Sequence, residues 1–215
     1  MSFVAEPNFP SAASALLIGE QAAALLRDAL YSREIACIEV PNNPDVDERL
    51  SGHADLSVLH LGGNRLLLAG YLKGSAFSEK LRDQGTQLSF LNTPQEAVYP
   101  LDAGLNLGLM GETLICNPKT AAGEALESAR KGRRLHTTRQ GYSRCTVCMV
   151  DRHTLITEDT GVATSAEKAG LTVLRIQPRA VELPGFPYGF LGGGIFPVVA
   201  VAACLYGQAE SPSGP

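Results

Sequence analysis

Three stretches of this chain repeat one order of polar and apolar positions: a polar cluster, an apolar run broken by a tight turn, a segment of helical period, and a short β-branched run. The polar openings are His53-Ala-Asp55, Asp102-Ala-Gly-Leu-Asn106 and Cys145-Thr-Val-Cys148. They recur at about 40 to 50 residues, a spacing that signals a repeated structural unit. In the first copy the runs 56–61 and 65–69 predict a hairpin about Gly62-Gly63, where glycine supplies the positive φ of a two-residue turn. A helix over 75–84, stopped by Gly85, and a strand over 87–91 complete that copy. The second copy predicts a hairpin over 104–117 turning near Gly111, a helix from 120 to near Gly132, and a strand over 133–138. The third turns at Asp151-Arg152, and its helix over 161–169 leads through Gly170 into a strand over 171–176.

Ahead of the repeats, residues 19–31 predict a helix, with Ala22, Leu25, Leu26, Ala29 and Leu30 at helical spacing. A strand over 35–40 follows and is stopped by Pro41. None of these helices is long enough to stand alone, so strands and helices must share a core, read as one α/β domain over residues 1–193. A fourth copy opens at Phe186-Pro-Tyr-Gly-Phe-Leu-Gly-Gly-Gly194 and then loses the pattern. After Ile195 no polar turn, helix or closing strand is expected, and residues 194–215 read as an atypical C-terminal tail.

Composition narrows the partners. The chain of 215 residues is 45% hydrophobic and 19% charged, with a net charge of -4. Its densest basic run is Arg130-Lys-Gly-Arg-Arg134, too little for a nucleic-acid surface. The uncharged, apolar part of the tail, 198–206, falls short of the roughly 20 residues that span a bilayer. Residues 1–10 lack the basic start of a secretory signal, and the five cysteines form an odd, scattered set. The expected protein is cytoplasmic, with reduced and packed thiols and no membrane or nucleic-acid partner.

The polar openings hold the candidate chemistry. His53 and Asp55 lie two apart, where a carboxylate can orient an imidazole for proton transfer; the alternative is that Asp55 caps a turn with His53 bonded nearby. Glu158 and Asp159, at a strand end before a helix, suit a cationic ligand, while Asp159-Thr-Gly equally reads as a helix start. Asp102 and Asn106 share that ambiguity, Asn106 entering an apolar stretch where its amide needs partners. Cys145 is a nucleophile candidate because Arg144 favours a thiolate, with a packed thiol as the alternative. The Cys145-x-x-Cys148 pair has no second pair to complete a zinc set, so neither a metal nor a cofactor is expected.

Hairpin-helix-strand units with acidic or amide openings resemble the pentein, or guanidine-modifying-enzyme, fold, in which such units circle a pore as an α/β propeller. More narrowly, Gly52-His-Ala-Asp55, Tyr99-Pro-Leu-Asp-Ala-Gly-Leu-Asn106, Gly141-Tyr-Ser-Arg-Cys-Thr-Val-Cys148, Ile156-Thr-Glu-Asp-Thr-Gly-Val-Ala163 and Leu183-Pro-Gly-Phe-Pro-Tyr-Gly-Phe-Leu-Gly-Gly193 resemble a bacterial family of unknown function placed in that fold. The resemblance covers about residues 14–193 and implies a pentein-like α/β architecture with about four of five units, the chain departing from the pattern after about Gly193 as a truncation or shifted reading frame would make it.

In catalytic penteins a cysteine of the last unit attacks a guanidinium carbon, a histidine moves protons and carboxylates grip the cation. Carried over, this makes His53, Asp55 and Cys145 the catalytic candidates. Asp102, Asn106, Arg144, Glu158 and Asp159 become the binding candidates for a small guanidino or amide compound in a central polar pocket. No cysteine lies between Tyr188 and Ala203, the place of the usual nucleophile, which favours a second class: a non-catalytic binding or scaffold protein.

Overall fold

Each of the three repeats folds as an antiparallel hairpin whose second strand pairs in parallel with a third, reached through a helix. A computed structural model describes residues 5–9, 14–179, 181–183, 185–193, 195–199 and 202–205. The first unit is β3 (Val58–Gly62), β4 (Arg65–Leu68), α2 (Ala76–Asp83) and β5 (Gln87–Phe90), in sheet order β3-β4-β5. The second is β6 (Gly108–Met110), β7 (Thr113–Cys116), α3 (Gly123–Arg130) and β8 (Arg134–Thr137). The third is β9 (Val147–Met149), β10 (Thr154–Thr157), α4 (Thr160–Lys168) and β11 (Thr172–Arg175). Before them, β1 (Ala15–Gly19) pairs in parallel with β2 (Ala36–Val40) across α1 (Glu20–Tyr31).

The local causes are the expected ones. Gly62 and Gly63 hold φ of 106° and 58° at the first hairpin turn, and Gly111 holds 54° at the second, values that L side chains avoid. Ser75 caps α2 by accepting from the Ser78 amide at 3.2 Å. Phe77 and Leu81 of α2 and Ala125 and Ala129 of α3 face inward, and the helices also reach across units: α3 packs on β3 of the first unit, and α4 on β7 and β8 of the second. The units then share cores: Leu59 and Leu67 of the first pack with Leu107, Leu109 and Leu114 of the second, and Met110 and Ile115 of the second pack with Val147 and Leu155 of the third.

Three expectations change. The strand β1 was not expected, because Ala15-Leu-Leu-Ile-Gly19 runs straight into the apolar positions of α1. Leu25, placed on the apolar face of that helix, stands 69% exposed, since a two-stranded sheet covers only a narrow stripe. Ahead of β3, His53 caps a short 3-10 helix, Ala54–Leu56, that contains Asp55. The tail keeps a hairpin, β12 (Ile195–Val199) against β13 (Ala202–Leu205), with a register shift between Pro197 and Val199 that accommodates the proline. Residues 206–215 of the tail lie outside the described residues. Among the described residues, no helix is long and apolar enough to cross a membrane.

Between the units runs a cavity of about 160 Å³, lined by Leu17 of β1, Val58, Leu59 and His60 of β3, and Leu105, Leu107 and Leu109. Residues 5–9 close one end. The Gly63 amide donates to the Ala5 carbonyl at 3.2 Å, Asn8 Nδ2 donates to the Leu109 carbonyl at 3.2 Å, and Arg152 pairs with Glu6 at 2.9 Å. Pro7 and Asn8 thus form the floor beneath three hairpins. Ala54, Asp55 and Arg144 line the same cavity.

Candidate functional site

The polar openings fold as tight turns ahead of the inner strands rather than as strand residues, and this brings distant side chains to one place. The ligand atoms of His53, Asp55 and Cys145 all lie within 4.8 Å of one another. Cys145 sits in the turn that precedes β9, is buried, and donates from its thiol to Asp55 Oδ2 at 2.8 Å. His53 and Asp55 are half-buried, and the His53 side chain makes no hydrogen bond among the described residues. Cys148 faces elsewhere on β9 and does not join the group.

Asn106 builds the thiol's seat. Fully buried, it accepts at Oδ1 from the backbone amides of Arg144 and Cys145 at 2.8 and 3.1 Å, and donates from Nδ2 to the Cys145 sulfur at 3.1 Å. All the capacity of this amide that the turn uses goes to holding Cys145, not to the open cavity. From the other side, Gly192 lies on the same turn: a Cβ there would run into the carbonyls of Arg144, Cys145 and Val147. Arg144 donates from Nη1 to the Val147 carbonyl at 3.2 Å and the Gly192 carbonyl at 3.4 Å. The loop carrying His53 is fixed likewise, because Gly19 at the end of β1 leaves no room for a side chain beside the Gly52 carbonyl.

Burial pushes the Cys145 thiol well above its ordinary pKa, and the charge and hydrogen bond of Asp55 push it further; the Asn106 amide and the Arg144 guanidinium pull the other way. At rest the group is a neutral thiol bonded to a carboxylate. Asp102 is 3% exposed and accepts at Oδ2 from the Tyr142 hydroxyl at 2.5 Å. Burial raises the Asp102 carboxyl above the usual range, and burial with the Asp102 contact raises the Tyr142 hydroxyl.

The remaining candidates carry backbone roles. Asp159 Oδ1 accepts from the Val162 amide at 2.8 Å and caps α4, while its Oδ2 accepts from Gln140 Nε2 at 3.1 Å. Glu158 is buried and accepts at Oε2 from the Arg179 amide at 2.9 Å. So the structure gathers His53, Asp55, Cys145 and Asn106, puts Arg144 on the same cavity, links Asp102 to the cysteine's turn through Tyr142, and has Glu158 and Asp159 each accept from a local backbone amide, with Glu158 Oε1 buried and without a hydrogen bond among the described residues.

Two residues that spacing did not single out hold the site loops together. Gln95 donates from Nε2 to the Leu56 carbonyl at 2.9 Å and to the Asp102 carbonyl at 3.2 Å, and its Oε1 accepts from Asn43 at 3.0 Å. It bridges the loop of Asp55 to the loop of Asp102. Tyr142 is the other, present in the sequence reading only inside the Gly141-Tyr-Ser-Arg-Cys-Thr-Val-Cys148 stretch.

Against known proteins, the sequence matches the model of a family of unknown function, DUF6873, over residues 17–213, a span that runs into the tail. No curated protein matches it by sequence. Solved structures of similar fold include an amidinotransferase of the saxitoxin biosynthetic pathway from Microseira wollei, at 12% identity and a TM-score of 0.53, covering 80% of this chain and 62% of that one. Another is the inosamine-phosphate amidinotransferase of Streptomyces griseus, at 12% identity and a TM-score of 0.53, covering 96% of this chain and 69% of that one. A third is a dimethylarginine dimethylaminohydrolase adduct with 4-chloro-2-hydroxymethylpyridine, at 13% identity and a TM-score of 0.51, covering 83% of this chain and 71% of that one. The chain thus has a pentein-like α/β fold, and it spans about 62% of the length of the first of these enzymes.

Proposed function

The chain belongs to the DUF6873 family, and we propose that it binds a small guanidino or amide compound at the His53, Asp55 and Cys145 group and acts on it through the Cys145 thiol. The observation that carries this reading is the meeting of Asp55 and Cys145, 90 positions apart, at the wall of a cavity that Asp55 also lines. The fold is that of enzymes whose names describe amidino transfer and dimethylarginine hydrolysis, and guanidino compounds are the class those names share.

A guanidinium docking on Asp55 offsets the charge that helps keep the thiol protonated, so the ligand itself favours the thiolate. The proton leaves sulfur for His53, while Asp55 holds the guanidinium and Asn106 Nδ2 remains as a donor to the charged sulfur. Sulfur then bonds to the amidino carbon, the departing nitrogen takes a proton from His53, and water releases the product from sulfur with return of the proton. Cys145 occupies the third repeat here, not the last, so the nucleophile in this reading has a different address from the one the resemblance implied.

One observation supports the second reading, a binding protein without turnover: the resting thiol is buried and its pKa is raised by the carboxylate beside it. Release of ammonia or urea from arginine-like and smaller guanidino compounds separates the two. Turnover that is lost in Cys145→Ser and His53→Ala upholds the catalytic reading; ligand binding without release in the unaltered chain upholds the other.

A further inference from the structure

We infer that His53, Asp55 and Cys145 form a binding site for a thiophilic divalent cation, with zinc the ion that their donors suit best. One imidazole, one carboxylate and one thiol supply nitrogen, oxygen and sulfur. Magnesium and calcium want oxygen shells, whereas thiolate with imidazole selects zinc and its neighbours. The C-x-x-C reading missed this set because His53 and Asp55 come from 92 and 90 positions upstream and Cys148 takes no part.

The geometry is within reach of the ion. Zinc bonds of about 2.0 to 2.3 Å in a tetrahedron hold donor atoms roughly 3.3 to 3.7 Å apart. All three donor atoms already lie within 4.8 Å of one another. Entry of the ion replaces the hydrogen bond of 2.8 Å between Cys145 and Asp55 and widens that pair by about 0.8 Å. The thiol proton is released as the Zn–S bond forms. His53 has no competing hydrogen bond among the described residues.

Around the donors stands the kind of support a metal ligand needs. Asn106 fixes the Cys145 backbone through its Oδ1 and donates to the sulfur through its Nδ2, which orients a thiolate ligand and tempers its charge. Three protein donors leave a fourth position for a small molecule or water, and Asp55 is the donor that borders the cavity. The inference goes beyond the proposed reaction and opposes it: the ion takes the thiol and carboxylate that the reaction uses, so occupancy and turnover exclude each other.

Cobalt(II) titrated into the reduced, metal-stripped full chain tests this. One equivalent is expected to produce the sulfur-to-cobalt charge-transfer band and tetrahedral d–d absorption, both displaced by zinc. Cys145→Ser is expected to remove the charge-transfer band, Asp55→Asn and His53→Ala to weaken binding, and Asn106→Ala to weaken it about 10- to 100-fold. Circular dichroism checks that each variant is folded, and Asp55→Asn, which keeps every thiol, stands in if Cys145→Ser does not fold. No charge-transfer band, or an unchanged band in the Cys145 or Asp55 variant, overturns the site. Cobalt binding without turnover of guanidino compounds leaves the metal site and sinks the reaction; turnover without binding does the reverse.

Discussion

The Cys145 thiol donates a hydrogen bond of 2.8 Å to the Asp55 carboxylate, and the carboxylate's charge is one reason the sulfur holds its proton. Removing that charge in Asp55→Asn is expected to lower the Cys145 pKa, and Asn106→Ala, which removes a donor to the sulfur, is expected to raise it. The pH dependence of alkylation at Cys145, located by mass spectrometry, reads both shifts. A profile that moves in neither variant would show that burial alone controls the thiol.

Much of the fold was legible because each hairpin announces its turn. Gly62-Gly63 and Gly111 sit where positive φ is required, and the helices follow at fixed distances. The site was legible only as separate pieces. His53-x-Asp55 and Cys145 stood out by residue type, but no local pattern showed that a 3-10 helix and a turn 90 positions apart would bring them together. Asn106 and Gln95 act through contacts spanning 39 and 39 residues, and no local pattern records such pairs. β1 was hidden for a different reason, its four apolar residues merging with those of α1.

Asp102 gives a pH prediction whose sign follows from its raised carboxyl. A folded-state pKa above the unfolded value means the group favours folding below the unfolded pKa, and that contribution disappears as pH rises through the folded pKa. The unfolding free energy of the natural chain relative to Asp102→Asn is therefore expected to fall between acid and neutral pH. Urea midpoints across that range measure it, and a difference that is flat or rises with pH contradicts the assignment.

Gln95→Leu strips the bridge between the two site loops, leaving the buried carbonyls of Leu56 and Asp102 and the Asn43 amide short of a partner. A loss of about 2 to 4 kcal/mol is expected, since each buried unsatisfied group costs roughly 1 to 3 kcal/mol. Chemical denaturation reads the loss. A change below about 0.5 kcal/mol would mean that the loops hold their places without Gln95.

Asp159→Ala separates a cap from a ligand contact. As the cap of α4 the side chain is worth about 1 kcal/mol, so stability should fall by that amount. Ligand affinity should stay within about twofold under the present assignment, since an energy change of about 0.4 kcal/mol is all that a twofold shift represents. Isothermal titration of the variant with a guanidino ligand decides, and a tenfold loss would return Asp159 to the binding set.

Gly192→Ala tests how tightly the last described 3-10 segment sits on the cysteine's turn. A methyl group there meets three backbone carbonyls at once, which cannot rotate away as a side chain would. Destabilisation of about 2 to 4 kcal/mol is expected, with faster alkylation of Cys145 as the segment lifts. Unchanged stability together with unchanged alkylation would show that the contact yields without effect.

The floor of the cavity sets an order of events. Residues 5–9 are made before their partners: Leu109 and Arg152, to which Asn8 and Glu6 attach, follow more than 100 positions later. Until the third hairpin has been made and docked, this segment has only its bonds to the first two hairpins, lacks the Glu6–Arg152 pair, and the inner strands stay accessible from below. A nascent chain halted before that hairpin should expose the inner leucines of the first two units to chaperones, and release of the chaperone should coincide with burial of Pro7.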